Sequence, residues 1–119
     1  MEVGVQVGRS DTPEEIQRKL QRDPDLFLVA EENDQIAGTV IGGYDGRRGM
    51  IYHLAVHVHL REQGIGTLLL TEVEKRLRAK GCKKCYLLIT AENLGAAHFY
   101  EKQNWREMKN DRIFGKEFP

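Results

Sequence analysis

Apolar residues follow two different spacings along this chain, and the changes between them mark the predicted elements. Alternating valines in "EVGVQV" (residues 2–7) predict a short strand, which Gly4 weakens. The segment "DTPEEIQRKLQRD" (11–23) predicts a helix, because Pro13 suits a first turn and Ile16 and Leu20 lie four residues apart on one face. The chain is therefore predicted to open with a strand followed by a helix.

The middle of the chain predicts three strands and two tight turns. Strands are predicted over 26–31 and 35–44 with a turn at 32–34 between them, and Asp45-Gly46 is a hairpin signal before the next strand. That third strand, "MIYHLAVHV" (50–58), is apolar on both faces, which is typical of the centre of a sheet. We therefore expect it to have a neighbouring strand on each side.

A glycine turn and a long amphipathic helix follow. Apolar residues recur every three or four positions up to Lys80, and Gly81 is expected to end the helix. Beyond it we predict a buried strand in "CYLLIT" (85–90), a helix in "NLGAAHFYEKQN" (93–104) capped by Asn93, and two short strands in "WREMKN" (105–110) and "RIFGKEF" (112–118). This order predicts an α/β fold with a mixed sheet, in which a helical crossover joins two parallel strands.

Composition limits the classes of partner. The 119 residues carry 18 Lys plus Arg and 18 Asp plus Glu, so the formal net charge is zero and nucleic acid is disfavoured as a partner. We see no apolar run of membrane-spanning length and no leader pattern, and we expect a cytoplasmic protein without a membrane partner. One domain over residues 1–119 is predicted, and two cysteines are too few for a disulfide scaffold.

Gly64 and Gly66 open the long helix in "REQGIGTLLL" (61–70), where glycine costs helix stability. A helix N-terminus presents unpaired N–H groups and partial positive charge, so glycines there allow a phosphate to approach the backbone. The dinucleotide fingerprint fails because Leu69 stands where its third glycine belongs, and the phosphate-loop motif fails because Leu69-Leu70-Thr71 replaces Gly-Lys-Ser/Thr. Turn glycines that serve only close packing remain an alternative.

"REQGIG" (61–66) after "YHLAVHV" and before an amphipathic helix resembles the coenzyme A pyrophosphate loop of the GNAT superfamily of N-acetyltransferases. "AENLGAAHFYEKQNW" (91–105) resembles the second signature of that family, and the resemblance runs from about Thr12 to the end, nearest to small bacterial acetyltransferases of unassigned substrate. It implies the GNAT fold with acetyl-CoA as co-substrate. The family begins with a strand and two helices, whereas one helix is predicted here, so we expect a second subunit to cover the exposed flank as a homodimer.

The resemblance also implies which residues bind the coenzyme. The backbone amides of 63–67 would hold the pyrophosphate beside Arg61, the pantetheine arm would lie along the end of the third strand, and Asn93 would contact the coenzyme. The implied coenzyme-binding residues are Ala55, Val56, His57, Val58, Arg61, Glu62, Gln63, Gly64, Ile65, Gly66, Thr67, Asn93, Ala97 and Tyr100.

Three residues are candidates for proton transfer. The resemblance implies that the Tyr100 hydroxyl lies near the coenzyme sulfur, and His53 and His57 lie on the strand beside the expected acetyl group, with Glu92 a poorer candidate base. Each histidine could instead be only a polar side chain on a partly exposed strand, and Tyr100 a core aromatic. A metal site built on these histidines and His59 is a thin signal, so no metal is expected.

The predicted reaction moves acetyl from acetyl-CoA to a primary amine by direct attack in a ternary complex. The alternative is a non-catalytic module that senses acyl-CoA, and an RNA-directed acetyltransferase is disfavoured by the zero net charge. The acceptor stays open between a small-molecule amine and a protein amine. Cys82 and Cys85 are interpreted as structural, because the pair lies at a helix-to-strand turn and lacks the second pair of a zinc site.

Overall fold

The computed structural model describes residues 13–57 and 63–119, which form two compact units, one ending at Leu88 and the other running from Ile89 to Pro119. The predicted strand over 2–7 lies outside the described residues. The single domain over 1–119 stays a prediction. Among the described residues, no helix is long and apolar enough to cross a membrane.

The first unit is a four-stranded sheet with two helices. Its elements are α1 (Pro13–Arg22), a short 3-10 helix (Pro24–Leu26), β1 (Phe27–Glu32), β2 (Gln35–Tyr44), β3 (Gly49–Val56), α2 (Ile65–Ala79) and β4 (Cys85–Leu87). The strand order is β1-β2-β3-β4, with β4 parallel to β3 and the other pairs antiparallel. The central place of β3 and the parallel crossover through α2 are therefore confirmed, and β4 is half as long as the predicted strand.

Two tight turns connect β1, β2 and β3 where the sequence predicts them. Asn33 and Asp34 both have positive φ, at 53° and 63°, which is the geometry of a two-residue hairpin turn. In the second turn the Asp45 carboxylate accepts the N–H groups of Arg47 and Arg48, each at 2.7 Å. These backbone donors hold the pKa of Asp45 below its usual value.

The core of the first unit lies between α2 and one face of the sheet. Its largest fully buried side chains are those of Leu26, Val40, Leu70, Val73 and Leu77. Gly38 and Gly42 of β2 also face α2, because a Cβ at Gly38 would meet Leu69 and Ile65, and a Cβ at Gly42 would meet Val73. The missing side chains let the helix lie directly on the strand.

α1 lies against the opposite face of the sheet. The Lys19 ammonium forms a 2.7 Å ion pair with Asp23 and lies 5.3 Å from the centre of the Tyr52 ring. Asp23 is buried, with 8% of its surface exposed, so the pair is largely shielded from water. Arg22 also lies 3.5 Å from the same carboxylate, so two cations compensate this charge at the C-terminal turn of α1.

The second unit contains α3 (Leu94–Lys102) followed by an irregular tail. The Asn93 side chain accepts the Ala96 N–H at 3.0 Å, which confirms the predicted N-cap. Asn104 adopts positive φ (70°) after the helix, and the Trp105 N–H donates to the Tyr100 carbonyl at 3.0 Å, which closes the helix end.

The two predicted C-terminal strands, over 105–110 and 112–118, are wrong. Residues 105–119 form no helix or strand, and Ile113, Phe114 and Phe118 are at least 74% exposed. Alternation of apolar and polar residues specifies the two faces that a strand would have. A strand also requires a neighbour to complete its backbone hydrogen bonds, and the sequence pattern carries no information about that neighbour.

Candidate active site

The glycine turn before α2 has the geometry of an open helix N-terminus. Gly64 is the N-cap residue with φ 82° and ψ 3°, a left-handed conformation that favours glycine, and it has no side chain that could cap the helix. A Cβ at Gly64 would meet no atom of the described residues within 4 Å, so none of them crowds the turn. The first turn of α2 therefore presents backbone N–H groups and the positive end of the helix dipole at an accessible surface.

β3 extends beyond its parallel neighbour. Only Gly49, Met50 and Ile51 pair with β4, whereas β3 continues on its other side to pair with β2 as far as Val56. The pairing with β2 passes directly from Gly42↔Ile51 to Ile41↔His53, so Tyr52 is an extra residue in a β-bulge. The pairing of β3 with β4 therefore stops at the residue before the bulge, and the gap predicted between the two strands stays a prediction.

The bulge also decides which face carries the histidines. Tyr52 faces α1, since a Cβ at Gly43 would meet its ring. His53 pairs with Ile41 of β2. The two neighbours of Ile41 along that strand, Val40 and Gly42, face α2, so Ile41 and His53 face α1 as Tyr52 does. Pairing is regular from His53 onward, so His57, four residues later, shares the face of His53. The predicted pair of imidazoles on one face is consistent with this register.

The hydrogen-bonding ladder indicates which backbone amide points away from β2. The His57 N–H donates to the Ala37 carbonyl of β2 at 2.7 Å. Because successive amides of a strand point to opposite sides, the Val56 N–H points away from β2. It faces the side of β3 on which β4 pairs with the beginning of that strand. Of the amides predicted to contact the acetyl group, that of His57 is committed to β2, and Val58 lies outside the described residues.

The remaining predicted site residues lie in the first unit, in the second unit or outside the described residues. Gln63 is exposed, Ile65 and Ala55 are buried, and Gly66 and Thr67 are half-buried in the first unit. Arg61, Glu62 and the metal candidate His59 lie outside the described residues. Glu92 is exposed in the second unit, and among the described residues no group of three or more His, Cys, Asp or Glu could hold a metal ion.

Tyr100 lies on α3 in an aromatic cluster of the second unit. Its ring centre is 5.2 Å from that of Phe99 and 6.0 Å from that of Trp105, both in edge-to-face geometry. Burial raises the pKa of Tyr100 to about 12, so the phenol stays protonated at neutral pH and can donate a hydrogen bond. Ala97, which is half-buried, and Asn93 lie on the same helix or at its cap.

A cavity of about 440 Å³ lies away from the glycine turn. Its lining comes from α1, the β2–β3 turn and the start of β3, and includes Lys19, Arg48, Gly49 and Tyr52. These residues lie at the end of β3 that pairs with β4, whereas α2 begins beside the other end. We therefore locate the candidate site by the glycine turn and the extended strand rather than by the size of this cavity.

The two cysteines are packed thiols in the first unit. The Cys82 thiol donates to the Lys84 carbonyl at 3.2 Å, and a Cβ at Gly49 would lie 2.9 Å from the Cys82 sulfur and 3.2 Å from that of Cys85. Burial, followed by the proximity of Cys82 and Glu74, raises the pKa of Cys85 to about 12. A thiol that stays protonated at neutral pH is a poor nucleophile, which supports the structural interpretation of Cys85.

Comparison with known proteins decides the family. The model of the Acetyltransferase (GNAT) family matches residues 4–105. The chain belongs to the GNAT acetyltransferase family. N-acetyl transfer is the activity that this membership supports at the level of the family.

Relatives of this GNAT chain are named as acetyltransferases. An acetyltransferase of Pectobacterium atrosepticum is 48% identical over 93 residues, which are 78% of this chain and 66% of the relative. An acetyltransferase of Sodalis glossinidius is 41% identical over 107 residues, 90% of this chain and 75% of the relative. The chain thus spans about two thirds to three quarters of the length of these relatives.

Solved structures share the GNAT fold. PaiA N-acetyltransferase from Thermoplasma acidophilum, in complex with coenzyme A, superposes with a TM-score of 0.70 at 24% identity, covering 79% of this chain and 62% of that one. At this identity the likeness concerns the fold alone. The expected fold class, a mixed sheet flanked by helices with GNAT connectivity, is therefore confirmed.

Sequence reasoning missed Gly38 and Gly42. Both lie in "AGTVIGG" (37–43), four residues apart, and a spacing of four on a strand places two residues on one face. Two glycines on the buried face of a strand indicate close approach of another backbone element. That signal was available in the sequence, although nothing local says which helix approaches.

Proposed function

We propose that this protein transfers the acetyl group of acetyl-CoA to a primary amine by direct attack within a ternary complex. The observation that carries the proposal is the N-terminus of α2 behind a left-handed Gly64, next to a strand that extends beyond its parallel neighbour. These features suit the two ends of an acyl-coenzyme, an anionic pyrophosphate and an extended amide-containing arm.

The pyrophosphate would bind at the first turn of α2. The N–H groups of Ile65, Gly66 and Thr67 point out of the helix end, and the helix dipole adds partial positive charge there. Gln63 and Gly64 form the approach, and Arg61 and Glu62 flank it in sequence. The open space at Gly64 supports close contact between a phosphate and the backbone.

The pantetheine arm and the acetyl group would lie along β3 beyond Ile51, beside Ala55, Val56 and Val58. An extended ligand can pair with a strand edge as an added strand does. The Val56 N–H points to that edge, and we assign it to the acetyl carbonyl. Attack by the amine places negative charge on this oxygen, and an amide donor aimed at the charge stabilises the transition state.

The reaction forms a C–N bond to the amine and breaks the C–S bond of the thioester. The ammonium form of the acceptor must lose a proton before attack, for which His53, on the α1 face of β3, and His57, just beyond the end of that strand, are the proposed acceptors. After the C–N bond forms, the nitrogen releases a second proton to solvent, which balances the proton given to the sulfur. The departing sulfur gains a proton, for which we assign the Tyr100 phenol on the strength of the family resemblance. Asn93 and Ala97 are proposed coenzyme contacts on the same basis.

Acceptor, assembly and compartment are proposed at a coarser level. The acceptor is a small-molecule or protein amine, and no metal is invoked. We propose a homodimer, in which a second subunit covers the flank beside α1, and light scattering at tens of micromolar tests it. Cys82 and Cys85 are free thiols, which supports a reducing compartment such as the cytoplasm.

The first experiment is a thermal unfolding scan with acetyl-CoA and with adenosine diphosphate as control. Ligand at about 100 times its Kd adds about 2.7 kcal/mol to the free energy of unfolding, a rise of several degrees in Tm. A rise specific to acetyl-CoA supports coenzyme binding, and amine-dependent release of free coenzyme A then supports catalysis. Binding without release would favour the non-catalytic module, and the absence of any rise at millimolar ligand would refute both.

A further inference from the structure

Gly38 is the point at which α2 lies most tightly on the sheet near its N-terminus. A Cβ built there would lie 2.8 Å from the Ala55 carbonyl oxygen, 3.0 Å from the Leu69 side chain and 3.3 Å from the Ile65 side chain. The first distance is to backbone of the neighbouring strand, which cannot rotate away as a side chain can. Gly38 therefore touches the first turn of α2 and the end of β3 at the same time.

These two elements carry the two halves of the proposed coenzyme site. Ile65 opens the helix whose N–H groups would hold the pyrophosphate, and Ala55 adjoins Val56, whose N–H is assigned to the acetyl carbonyl. Both segments rest on Gly38, which pairs with Val56 in the β2–β3 register. The contact with β3 is to backbone, whereas the contacts with α2 are to the side chains of Leu69 and Ile65.

We propose that Gly38 is a positioning residue for the coenzyme, which sets the spacing between the pyrophosphate turn and the acetyl-binding strand. This inference rests on the proposed function. An alanine at position 38 reaches ordinary van der Waals contact only if the Ala55 carbonyl oxygen moves by about 0.6 Å and the Leu69 side chain on α2 by about 0.4 Å. Such a shift changes the length that the coenzyme must span, although residue 38 itself touches no ligand.

Gly42 provides a matched control on the same strand and face. A Cβ there would lie 2.9 Å from the Val73 side chain, with the nearest backbone atom, the Met50 carbonyl oxygen, at 3.6 Å. Val73 lies eight residues along α2 from Ile65, about 12 Å from the helix start. Gly42→Ala therefore overpacks the same helix against the same strand, but away from both halves of the proposed site.

The test measures coenzyme A affinity by calorimetry and Tm by circular dichroism for the wild type, Gly38→Ala and Gly42→Ala. We expect both variants to lose thermal stability, because overpacking strains a dense core. We expect the Kd for coenzyme A to rise about tenfold in Gly38→Ala and to stay within about twofold of wild type in Gly42→Ala. If Gly38 has a merely structural role, both variants lose thermal stability and the Kd for coenzyme A either stays at the wild-type value in both or rises equally in both. Either result would overturn the inference.

If Gly38→Ala does not fold, a second pair of variants decides. Leu69→Ala loosens the helix where it contacts Gly38, and Leu77→Ala removes the same atoms from an equally buried position at the far end of α2. We expect a weaker coenzyme affinity only in Leu69→Ala, and equal effects would overturn the inference. A wild-type protein that binds no coenzyme A would instead refute the proposed function, so the two failures are distinguishable.

Discussion

Replacing Gly64 by alanine separates the backbone role of this glycine from its role in coenzyme binding. Gly64 has φ 82°, a region that costs an L-residue about 1–2 kcal/mol. A Cβ at this position meets no atom within 4 Å in the part of the chain that the structure describes, so no clash with those residues adds to that figure. For a domain of this size we expect Tm to fall by about 4 °C for each kcal/mol.

Gly81 supplies the matched control at the other end of the same helix. It has φ 99°, and the nearest atom to a Cβ built there is the Tyr44 hydroxyl oxygen at an ordinary 3.7 Å. Gly81→Ala therefore carries the same backbone cost without a clash. We expect the two variants to show similar losses in the free energy of unfolding, measured by urea denaturation.

Coenzyme binding should distinguish the two glycine variants. A methyl group at position 64 occupies the space through which a phosphate would approach the N–H groups of α2, so we expect the Kd for coenzyme A to rise well beyond tenfold in Gly64→Ala and to stay unchanged in Gly81→Ala. Gly64→Asn should recover stability, since asparagine tolerates the left-handed region, without recovering affinity. Wild-type affinity in Gly64→Ala would refute the assignment of the pyrophosphate to this turn.

Three further predictions concern Tyr100, Asn93 and Cys85. Tyr100→Phe is expected to lower kcat while leaving the Kd for coenzyme A unchanged, because only the proton donor is lost; unchanged turnover in steady-state kinetics would remove Tyr100 from the mechanism. Asn93→Ala removes the acceptor of the Ala96 N–H and should cost about 1 kcal/mol in urea denaturation, with Asn93→Asp retaining most of the stability. The pKa of Cys85 is raised to about 12 in the folded protein, compared with about 9 in the unfolded chain. The stability that its neutral thiol contributes is therefore complete below pH 9 and is lost as the pH rises through about 12. Cys85→Ala should therefore flatten the fall in unfolding free energy over that range, and an unaltered slope would contradict the burial of this thiol.

Local patterns predicted the elements whose signals are complete within a few residues. The helix α2 follows from the apolar spacing that begins at Ile65, and its end at Gly81 follows from the left-handed residue that a helix end favours. The turn at Asn33 and the cap at Asn93 have local side-chain causes of the same kind. The glycine turn of the candidate site belongs to this class, which is why sequence alone located it.

Features that depend on a distant partner were harder to predict. The predicted strand over 85–90 ends at Leu87, where its pairing with β3 stops at Ile51, the residue before the bulge in that strand. The tail containing Phe114 has the alternation of a strand but forms none. The assignment of the Val56 amide required the ladder, since only the bond from His57 to Ala37 fixes which way each amide points.

The extra residue in β3 has a consequence for how this strand tolerates change. In an uninterrupted strand Ile51, His53 and His57 would share one face, and the imidazoles would lie beneath α2. The bulge instead shifts the alternation of the two faces by one residue. Losing one residue at Tyr52 would keep every later side chain on its present face, whereas losing one between His53 and His57 would exchange the faces of all those that follow. Natural insertions and deletions in this strand should therefore be confined to the bulge, and a length difference there need not signal a change in chemistry.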